Sequence, residues 1–311
     1  MRTIPGHRDF RRRLNAMGIE WHEMLPFAPL RGQIRRPDLR NHRKILVIDG
    51  REAYVGSHNL VAPDYDTPSY AKAGMLYDDT SVSVTGPIVA QIQAVFAVDW
   101  YYACKEILTP AVLTPPAAED AAEREGEQAS AMQIIPSGPA FKGEPNLRAF
   151  IHMISSARTH VSITSPYFIP DEALMTALTN AALSGVEVEL FVSEQFDQFL
   201  VGHAQRSYYG PLLKAGVRIH LYHKPRMLHS KYMIVDGSLC IIGSSNMDVR
   251  SFDLNYEIVL VADSSRLVEM MHGNDDRTRE KSRELTYEEW RALPWHVHYI
   301  DNVCRLGSSL L

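Results

Sequence analysis

A set of histidine, lysine, serine and asparagine residues occurs twice in the chain with identical spacing. The first copy, called here the first motif, contains His42, Lys44, Asp49, Gly56, Ser57 and Asn59. The second motif contains His229, Lys231, Asp236, Gly243, Ser244 and Asn246, and each member follows its counterpart by the same 187 positions. Chance does not account for six identities in one fixed register. The sequence therefore predicts an internal repeat with one functional motif in each half.

The spacing within each motif predicts a β-hairpin that gathers the polar side chains at one end. Residues two apart on a strand point to the same face, so each histidine lies beside the lysine that follows it. Asp49-Gly50 and Asp236-Gly237 are strong hairpin signals. A returning strand then brings the serine and asparagine of each motif back beside its histidine and lysine. Turn chemistry also favours a mainly structural role for both aspartates.

These residue types suit the chemistry of a phosphodiester. Lysine supplies positive charge to phosphate oxygens, and serine hydroxyls and asparagine amides donate further hydrogen bonds. An imidazole serves as a nucleophile or as a general acid. Two motifs supply one histidine for each side of a phosphorus atom. No metal is needed where two lysines carry the charge stabilisation.

Composition and length set the wider limits. The chain has 311 residues, 45% of them hydrophobic and 22% charged, which fits about two globular domains. The net charge of −5 argues against a globally basic nucleic-acid binder, and the three widely spaced cysteines give no metal-site spacing. No apolar run approaches the ~20 residues that cross a bilayer. We expect a protein that is soluble or lies on a membrane surface.

The chain divides into two α/β halves. Residues 109–131 are rich in Ala, Glu and Pro and predict a flexible acidic linker between a first half, 1–108, and a second half, 132–311. Strands and helices alternate in the second half. The predicted strands are Met132–Pro136, Val161–Ser165, Val186–Ser193 and Val217–Tyr222. The predicted helices are Asn146–Ala157, Asp171–Ser184 and His203–Ala215, the last ended by Gly216.

The first half is shorter at its start than the second. Leu14–His22 resembles Leu212–His220 in sequence. The second half has about 66 residues before this segment that have no counterpart in the first half. Either the first half is reduced or the chain begins inside a longer gene product, and we favour the second interpretation. Absence of these N-terminal residues from the first half would leave a sheet edge uncovered beside His42.

The paired motifs resemble the HKD motifs of the phospholipase D superfamily, and their flanks resemble the bacterial cardiolipin synthases. The flanking segments that carry this resemblance are NHRKILVIDG, ITSPYFIPDEAL, GSSNMDVRSFDLNYE and PWHVHYIDNVCRL. The resemblance implies two α-β-α sandwich halves related by a pseudo-twofold, with the first incomplete. It also implies a shared active site that works through a covalent phosphohistidine without metal or cofactor.

The resemblance implies a role for each motif residue. His42 is the expected nucleophile and His229 the expected acid and base, although sequence alone does not separate the two roles. The catalytic set is His42, Lys44, Asp49, His229, Lys231 and Asp236, and the phosphate-binding set is Ser57, Asn59, Ser244 and Asn246. A carboxylate is expected behind each histidine. Glu257 is assigned to His229, and Asp79, with Asp78 as a competitor, is assigned to His42.

The activity implied is transfer of a phosphatidyl group from one phosphatidylglycerol to another, giving cardiolipin and glycerol. The expected partners are this anionic phospholipid and the membrane surface, to which the chain would bind peripherally, with no nucleic acid and no metal. Arg31, Arg35, Arg36, Arg40 and Arg43 form a basic cluster suited to anionic lipid. Two alternatives stay open: a phospholipase D-type hydrolase or nuclease that uses water, and an inactive fragment.

Overall fold

The computed structural model describes residues 7–25, 38–65, 67–108 and 130–307. In the first half these residues form α1 His7–Ala16, β1 Arg40–Asn41, β2 Ile45–Ile48, β3 Glu52–Gly56, α2 Pro68–Ala73, β4 Tyr77–Asp78, β5 Ser81–Thr85 and α3 Ile88–Cys104. The predicted linker falls outside the described residues, apart from its last two positions. The first strand of the second half begins at Ala131.

The second half is a longer alternation of strands and helices. Its elements are β6 Ala131–Ser137, α4 Pro145–Ser156, β7 His160–Thr164, β8 Phe168–Ile169, α5 Glu172–Leu183, β9 Glu187–Ser193, α6 Phe199–Ser207, α7 Tyr209–Ala215, β10 Arg218–Tyr222, β11 Met227–Leu228, β12 Tyr232–Val235, β13 Leu239–Gly243, β14 Met247–Asp248, a π-helical turn Arg250–Leu254, β15 Asn255–Asp263, α8 Ser265–Glu280, β16 Ser282–Leu285, α9 Tyr287–Arg291 and α10 Trp295–Leu306.

Most of these strands form one mixed sheet, which confirms the predicted α/β class. The order is β1-β15-β13-β12-β7-β9-β10-β16, and β6 also pairs with β15. The β7, β9 and β10 strands run parallel, whereas β12, β13 and β15 form an antiparallel meander. The first half has its own meander, β2-β3-β5. The two meanders are the structural form of the sequence repeat.

The two halves share a hydrophobic core. Side chains from the first meander and from α3, including Val55 and Ile92, join one buried cluster with Ile234, Ile242 and Leu260 of the second meander. A second cluster fills the space between the large sheet and α4, α5 and α7 of the second half. Because apolar burial is the main stabilising contribution to folding, the shared cluster holds the two motifs in a fixed relation.

Strand β2 occupies a more open position than its repeat counterpart. In the second half, β12 lies between β13 and β7 and all four of its residues are buried. Among the described residues β2 pairs with β3 alone. Leu46 and Ile48 on it are 53% and 42% exposed.

The local sequence patterns predict the helices and strands of the second half correctly, with one exception. The predicted strands and the first two helices are confirmed to within one or two residues. Gly216 ends α7 at a φ of 96°, which favours glycine. The predicted helix His203–Ala215 is wrong because it is two helices, α6 and α7. Pro211 lacks an N–H to donate to Ser207, so the helix breaks at Tyr208.

Candidate active site

The first-motif histidine is positioned by a strand of the second half. Strand β1 runs parallel to the beginning of β15, and the His42 amide donates to the Tyr256 carbonyl at 2.9 Å. This pairing places Glu257 directly behind the imidazole. His42 Nδ1 lies 2.9 Å from Glu257 Oε1 and 3.0 Å from Oε2. The remaining ring nitrogen, Nε2, is the atom available for chemistry.

The second-motif histidine is held in the same way by the first half. Strand β11 runs parallel to β4, and the His229 amide donates to the Asp78 carbonyl at 2.8 Å. His229 Nδ1 then lies 2.6 Å from Asp79 Oδ1. Asp78 instead accepts hydrogen bonds from Tyr222 and Arg226. Asp79 is therefore the carboxylate that contacts a motif histidine, as the sequence indicated over its neighbour.

The sequence-based pairing of carboxylates with histidines was wrong. Glu257 was assigned to His229 and Asp79 to His42, yet each carboxylate contacts the histidine of the other half. The reason lies in the strand pairing. The strand that carries each carboxylate runs beside the short strand that leads into the opposite histidine, and the two meet one residue beyond the last ladder pair.

Both lysines lie at the centre of one charge cluster. Lys44 Nζ and Lys231 Nζ each donate to the carbonyl of their own histidine at 2.6 Å. Burial lowers the pKa of Lys44 to about 8, against the attraction of Glu257 and Asp79. Burial and repulsion from Lys44 lower the pKa of Lys231 to about 7. The two motifs thus form one electrostatic site at the interface of the halves.

Both histidines are held in the neutral form. Burial lowers the pKa of His229 to about 3, and the charge of Lys231 adds to the effect while Asp79 opposes it. Burial also lowers the pKa of His42, against the opposing attraction of Glu257. The His42 side chain is 27% exposed and that of His229 is 7% exposed. A neutral imidazole whose Nδ1–H donates to a carboxylate presents a nucleophilic Nε2.

The motif serines lie behind the carboxylates, which corrects their expected place as phosphate ligands. Ser244 Oγ donates to Glu257 Oε2 at 2.5 Å, and Ser57 Oγ donates to the Thr80 carbonyl at 3.2 Å. Each hydroxyl has a single proton, which is already committed. The glycine before each serine allows this approach, since a Cβ at Gly56 or Gly243 would collide with the neighbouring strand's backbone.

The motif asparagines keep amide groups at the site. Asn59 Nδ2 donates to the Tyr65 hydroxyl at 2.6 Å. Asn246 is 6% exposed, and within the described part of the chain its Oδ1 has no hydrogen-bond partner. The unused atom is an acceptor, so it suits a ligand hydroxyl, whereas a phosphate oxygen needs a donor. The role of both asparagines as phosphate ligands stays a prediction.

The structure places Asp49 and Asp236 outside the site, which corrects their inclusion in the catalytic set. Both occupy hairpin turns with a φ of 52°. Asp236 accepts backbone N–H groups at residues 158–160, so it fixes the start of β7. With the four residues of β12 between them, Asp236 lies five residue steps from Lys231, roughly 16 Å along an extended strand. Both aspartates are turn residues, as their chemistry favoured.

Comparisons with known proteins agree with this geometry. Residues 150–275 match the family model described as the PLD-like domain of cardiolipin synthase. A cardiolipin synthase of Halalkalibacterium halodurans is 37% identical over 292 residues, which cover 93% of this chain and 56% of the relative. Cardiolipin synthase A of Proteus mirabilis is 35% identical over 96% of this chain and 60% of the relative. Residues 150–275 thus resemble the PLD-like domain of cardiolipin synthases.

A solved structure shares the fold. The crystal structure of phosphatidylserine synthase from Haemophilus influenzae matches with a TM-score of 0.65 at 15% identity, over 89% of this chain and 72% of the other. The chain spans little more than half the length of the curated cardiolipin synthases named above. In the described residues no helix is long and apolar enough to cross a membrane.

One buried ion pair beside the site was not found from sequence. Arg43, predicted as a lipid contact, is buried instead: its side chain is 3% exposed, and Nη1 donates to Asp99 Oδ1 on α3 at 2.5 Å. Arg43 Nε also donates to the Glu257 carbonyl. The three predicted lipid contacts Arg31, Arg35 and Arg36 fall outside the described residues. Nothing local to Arg43 distinguishes it from its basic neighbours.

A group of aromatic residues beside His229 was also missed. The rings of Tyr77 and Tyr65 approach the His229 imidazole with centroids 5.4 and 6.1 Å away. Tyr77 and Tyr167 both donate to the carboxylate of Asp197. These residues come from strand β4 and from separate loops of both halves, so no spacing pattern in the sequence links them.

Proposed function

We propose that this site transfers a phosphatidyl group from one phosphatidylglycerol to a second, giving cardiolipin and glycerol. The observation that carries the proposal is that each motif histidine is oriented by a carboxylate of the other half. Two neutral histidines are thereby held around one pair of buried lysines. The likeness to cardiolipin synthases supports the choice of lipid. The relatives named cardiolipin synthase are longer than this chain, which spans little more than half of their length.

The proposed mechanism has two steps. His42 Nε2 attacks phosphorus, the phosphorus–nitrogen bond forms, and the bond to the glycerol oxygen breaks. Once the lipid is bound, Asp79 and the phosphodiester stabilise the imidazolium form of His229, and this imidazolium gives the oxygen its proton. His229 then accepts the proton of the incoming hydroxyl as its oxygen displaces His42 from phosphorus. The two lysines balance the charge that develops on phosphate oxygens.

The alternative acceptor is water, which would make the protein a hydrolase. An experiment with phosphatidylglycerol vesicles separates the two outcomes. Transfer predicts cardiolipin and glycerol in equal amounts, measured by mass spectrometry, whereas hydrolysis predicts phosphatidic acid. Loss of activity in both His42→Ala and His229→Ala is expected, while His152→Ala, at an exposed position on α4, serves as the control. A protein that forms neither product would contradict the proposal.

Phosphohistidine formation has its own test. With His229→Ala, breakdown of the intermediate loses its base, so labelled phosphatidyl groups should stay on His42 and be detected on protein denatured in detergent at neutral pH, where the phosphorus–nitrogen bond survives. His42→Ala should give no labelled protein. Label retained in His42→Ala and lost in His229→Ala would reverse the two roles.

We further propose that the chain works at a membrane surface to which it binds peripherally. Three exposed apolar side chains support this interpretation, because they lie within three residues of Asn59 or of Asp197, which contacts Tyr77 beside His229. Leu60 comes after Asn59 and is 99% exposed, and Phe199 and Leu200 at the start of α6 are 66% and 54% exposed. Exposed apolar side chains at the mouth of a lipid-binding site suit insertion between lipid headgroups.

A further inference from the structure

The carboxylate of Asp197 is held next to the second histidine by residues of both halves. Tyr167 OH lies 2.9 and 2.8 Å from the two Asp197 oxygens, and Tyr77 OH lies 3.2 Å from Oδ2. Asp197 belongs to the loop between β9 and α6, whereas Tyr77 lies on β4 of the first half. The cluster therefore closes the interface on the His229 side.

This carboxylate is one tyrosine away from the imidazole. The ring of Tyr77 links Asp197 to His229, and Tyr65 packs on Tyr77 with centroids 4.3 Å apart. Burial raises the pKa of Tyr65 to about 12, and the negative charges of Asp79 and Asp197 add to the shift. Every tyrosine here stays protonated at neutral pH, so the tyrosines act as hydrogen-bond donors.

The mechanism above has no use for a second anion beside His229. A fixed negative charge repels a phosphodiester and favours a neutral group that donates hydrogen bonds. A vicinal diol contains such a group, because one hydroxyl donates to the carboxylate while the adjacent hydroxyl takes part in the reaction. Asp197 is only partly buried, so it retains some access to solvent.

We propose that Asp197, with Tyr77 and Tyr167, forms a subsite for the glycerol headgroup on the His229 side. This inference rests on the proposed transfer reaction. The leaving glycerol and the headgroup of the acceptor lipid occupy the subsite in turn. The secondary hydroxyl binds Asp197 while the primary hydroxyl gives its proton to His229 and its oxygen bonds to phosphorus, as the bond from phosphorus to His42 breaks. Asp197 thus selects polyol acceptors.

Acceptor competition tests the subsite. The full chain is supplied with phosphatidylglycerol, and labelled glycerol and ethanol compete for the phosphatidyl group. Asp197→Asn keeps the size of the side chain but removes its charge. Since a hydrogen bond to a charged group contributes ~1.5–3 kcal/mol, kcat/KM for glycerol should fall about tenfold or more. Transfer to ethanol, which has no second hydroxyl, should stay within about threefold.

Two further variants make the result specific. Tyr167→Phe, which keeps the ring, should lower kcat/KM for glycerol in the same selective way. Glu194→Gln lies on the same loop but its carboxylate pairs with Arg283, so it should leave the glycerol-to-ethanol ratio unchanged.

The possible results separate the two proposals. Equal loss of both acceptors in Asp197→Asn would make the cluster a structural bridge and overturn the inference, as would an unchanged ratio. Wild-type protein that transfers to neither alcohol and forms no cardiolipin would overturn the proposed function itself, and the inference with it.

Discussion

At the scale of single residues, the site depends on two carboxylates that each control a histidine from the opposite half. Burial raises the pKa of Glu257, but attraction to His42 and Lys44 outweighs it, so the pKa is lowered and the group is charged. The pKa of Asp79 is lowered in the same way by His229. A buried anion of this kind fixes the tautomer of an imidazole and stabilises its charged form.

The exchanged pairing makes a distinct prediction for neutral variants of the carboxylates. Glu257→Gln should shift the NMR resonances of the His42 ring and leave those of His229 close to wild type, and Asp79→Asn should do the reverse. Both should lower kcat by about 10²–10⁴-fold, because the imidazole loses its orientation and the partner of its charged form. A shift at His229 in Glu257→Gln would contradict the contacts described.

The lysines predict how activity depends on pH. Their ammonium forms are needed to stabilise phosphate charge, and the pKa values of Lys231 and Lys44 are lowered to about 7 and about 8. Raising the pH through this range removes the charge, so kcat/KM should fall on the alkaline side. His42 must be neutral to attack phosphorus, and its pKa is lowered, so the acidic limb should lie below pH 6.5.

Lys231→Arg tests the origin of the alkaline limb. Arginine stays charged at any accessible pH, so the limb should move upward even if the rate itself falls. The measurement is kcat/KM for soluble short-chain phosphatidylglycerol across pH 5 to 10, because kcat/KM reports the pKa values of the free protein. An alkaline limb unchanged in this variant would assign it to another group.

At the scale of elements, two short parallel pairings do most of the positioning. The β1–β15 and β4–β11 ladders each contain two residue pairs, yet each brings a histidine and a carboxylate together across the halves. The hairpins and helices were predictable because hydrophobic period, turn residues and a capping glycine lie within a few positions of one another. The histidine that Glu257 contacts could not be predicted in this way, since Glu257 lies 215 positions from His42.

The repeat itself explains that failure. When two halves carry the same motif, a carboxylate that follows one copy fits its own histidine or the equivalent one in the other half equally well by spacing. Strand pairing at the interface decides between them, and this pairing depends on the shared core formed by both halves. The same limit applies to Asp197, whose partners come from loops with no common spacing.

The Arg43–Asp99 pair predicts a measurable link between α3 and the site. Asp99→Ala should lower the free energy of unfolding by roughly 3 kcal/mol, because the guanidinium stays buried without its partner. Chemical denaturation measures this loss. Asp9→Ala removes the exposed pair with Arg12 and should cost less than about 1 kcal/mol. Similar losses in the two variants would show that Arg43 finds water or another partner.

At the scale of the whole molecule, the site is a property of the interface and belongs to neither half alone. The second half contributes His229, Lys231 and Glu257, whereas the first contributes His42, Lys44 and Asp79. The shared core holds these groups together, and the open edge of β2 lies at its margin. Burial of the lysines and histidines keeps water away from the reacting groups, which favours a lipid alcohol over water as the acceptor.

The exposed side chains beside the site predict how the molecule meets its lipid. A triple variant in which Leu60, Phe199 and Leu200 are each changed to Glu should bind phosphatidylglycerol vesicles more weakly. Each apolar side chain that leaves water on binding contributes ~1.5–3 kcal/mol. The added negative charges also repel the anionic surface. Vesicle co-sedimentation measures binding, and activity on vesicles should fall with it. Activity on soluble short-chain phosphatidylglycerol should stay near wild type, since none of the three carries the chemistry.

Leu183→Glu provides the matched control for this surface. Leu183 is 72% exposed at the end of α5. Leu183 precedes β9 and Asp197 follows it, so the two residues lie near opposite ends of that strand. This variant should bind vesicles as well as the wild type does. Equal weakening by Leu183→Glu would mean that general charge and not a defined apolar rim governs binding. Unchanged binding in the triple variant would place the membrane contact elsewhere on the molecule.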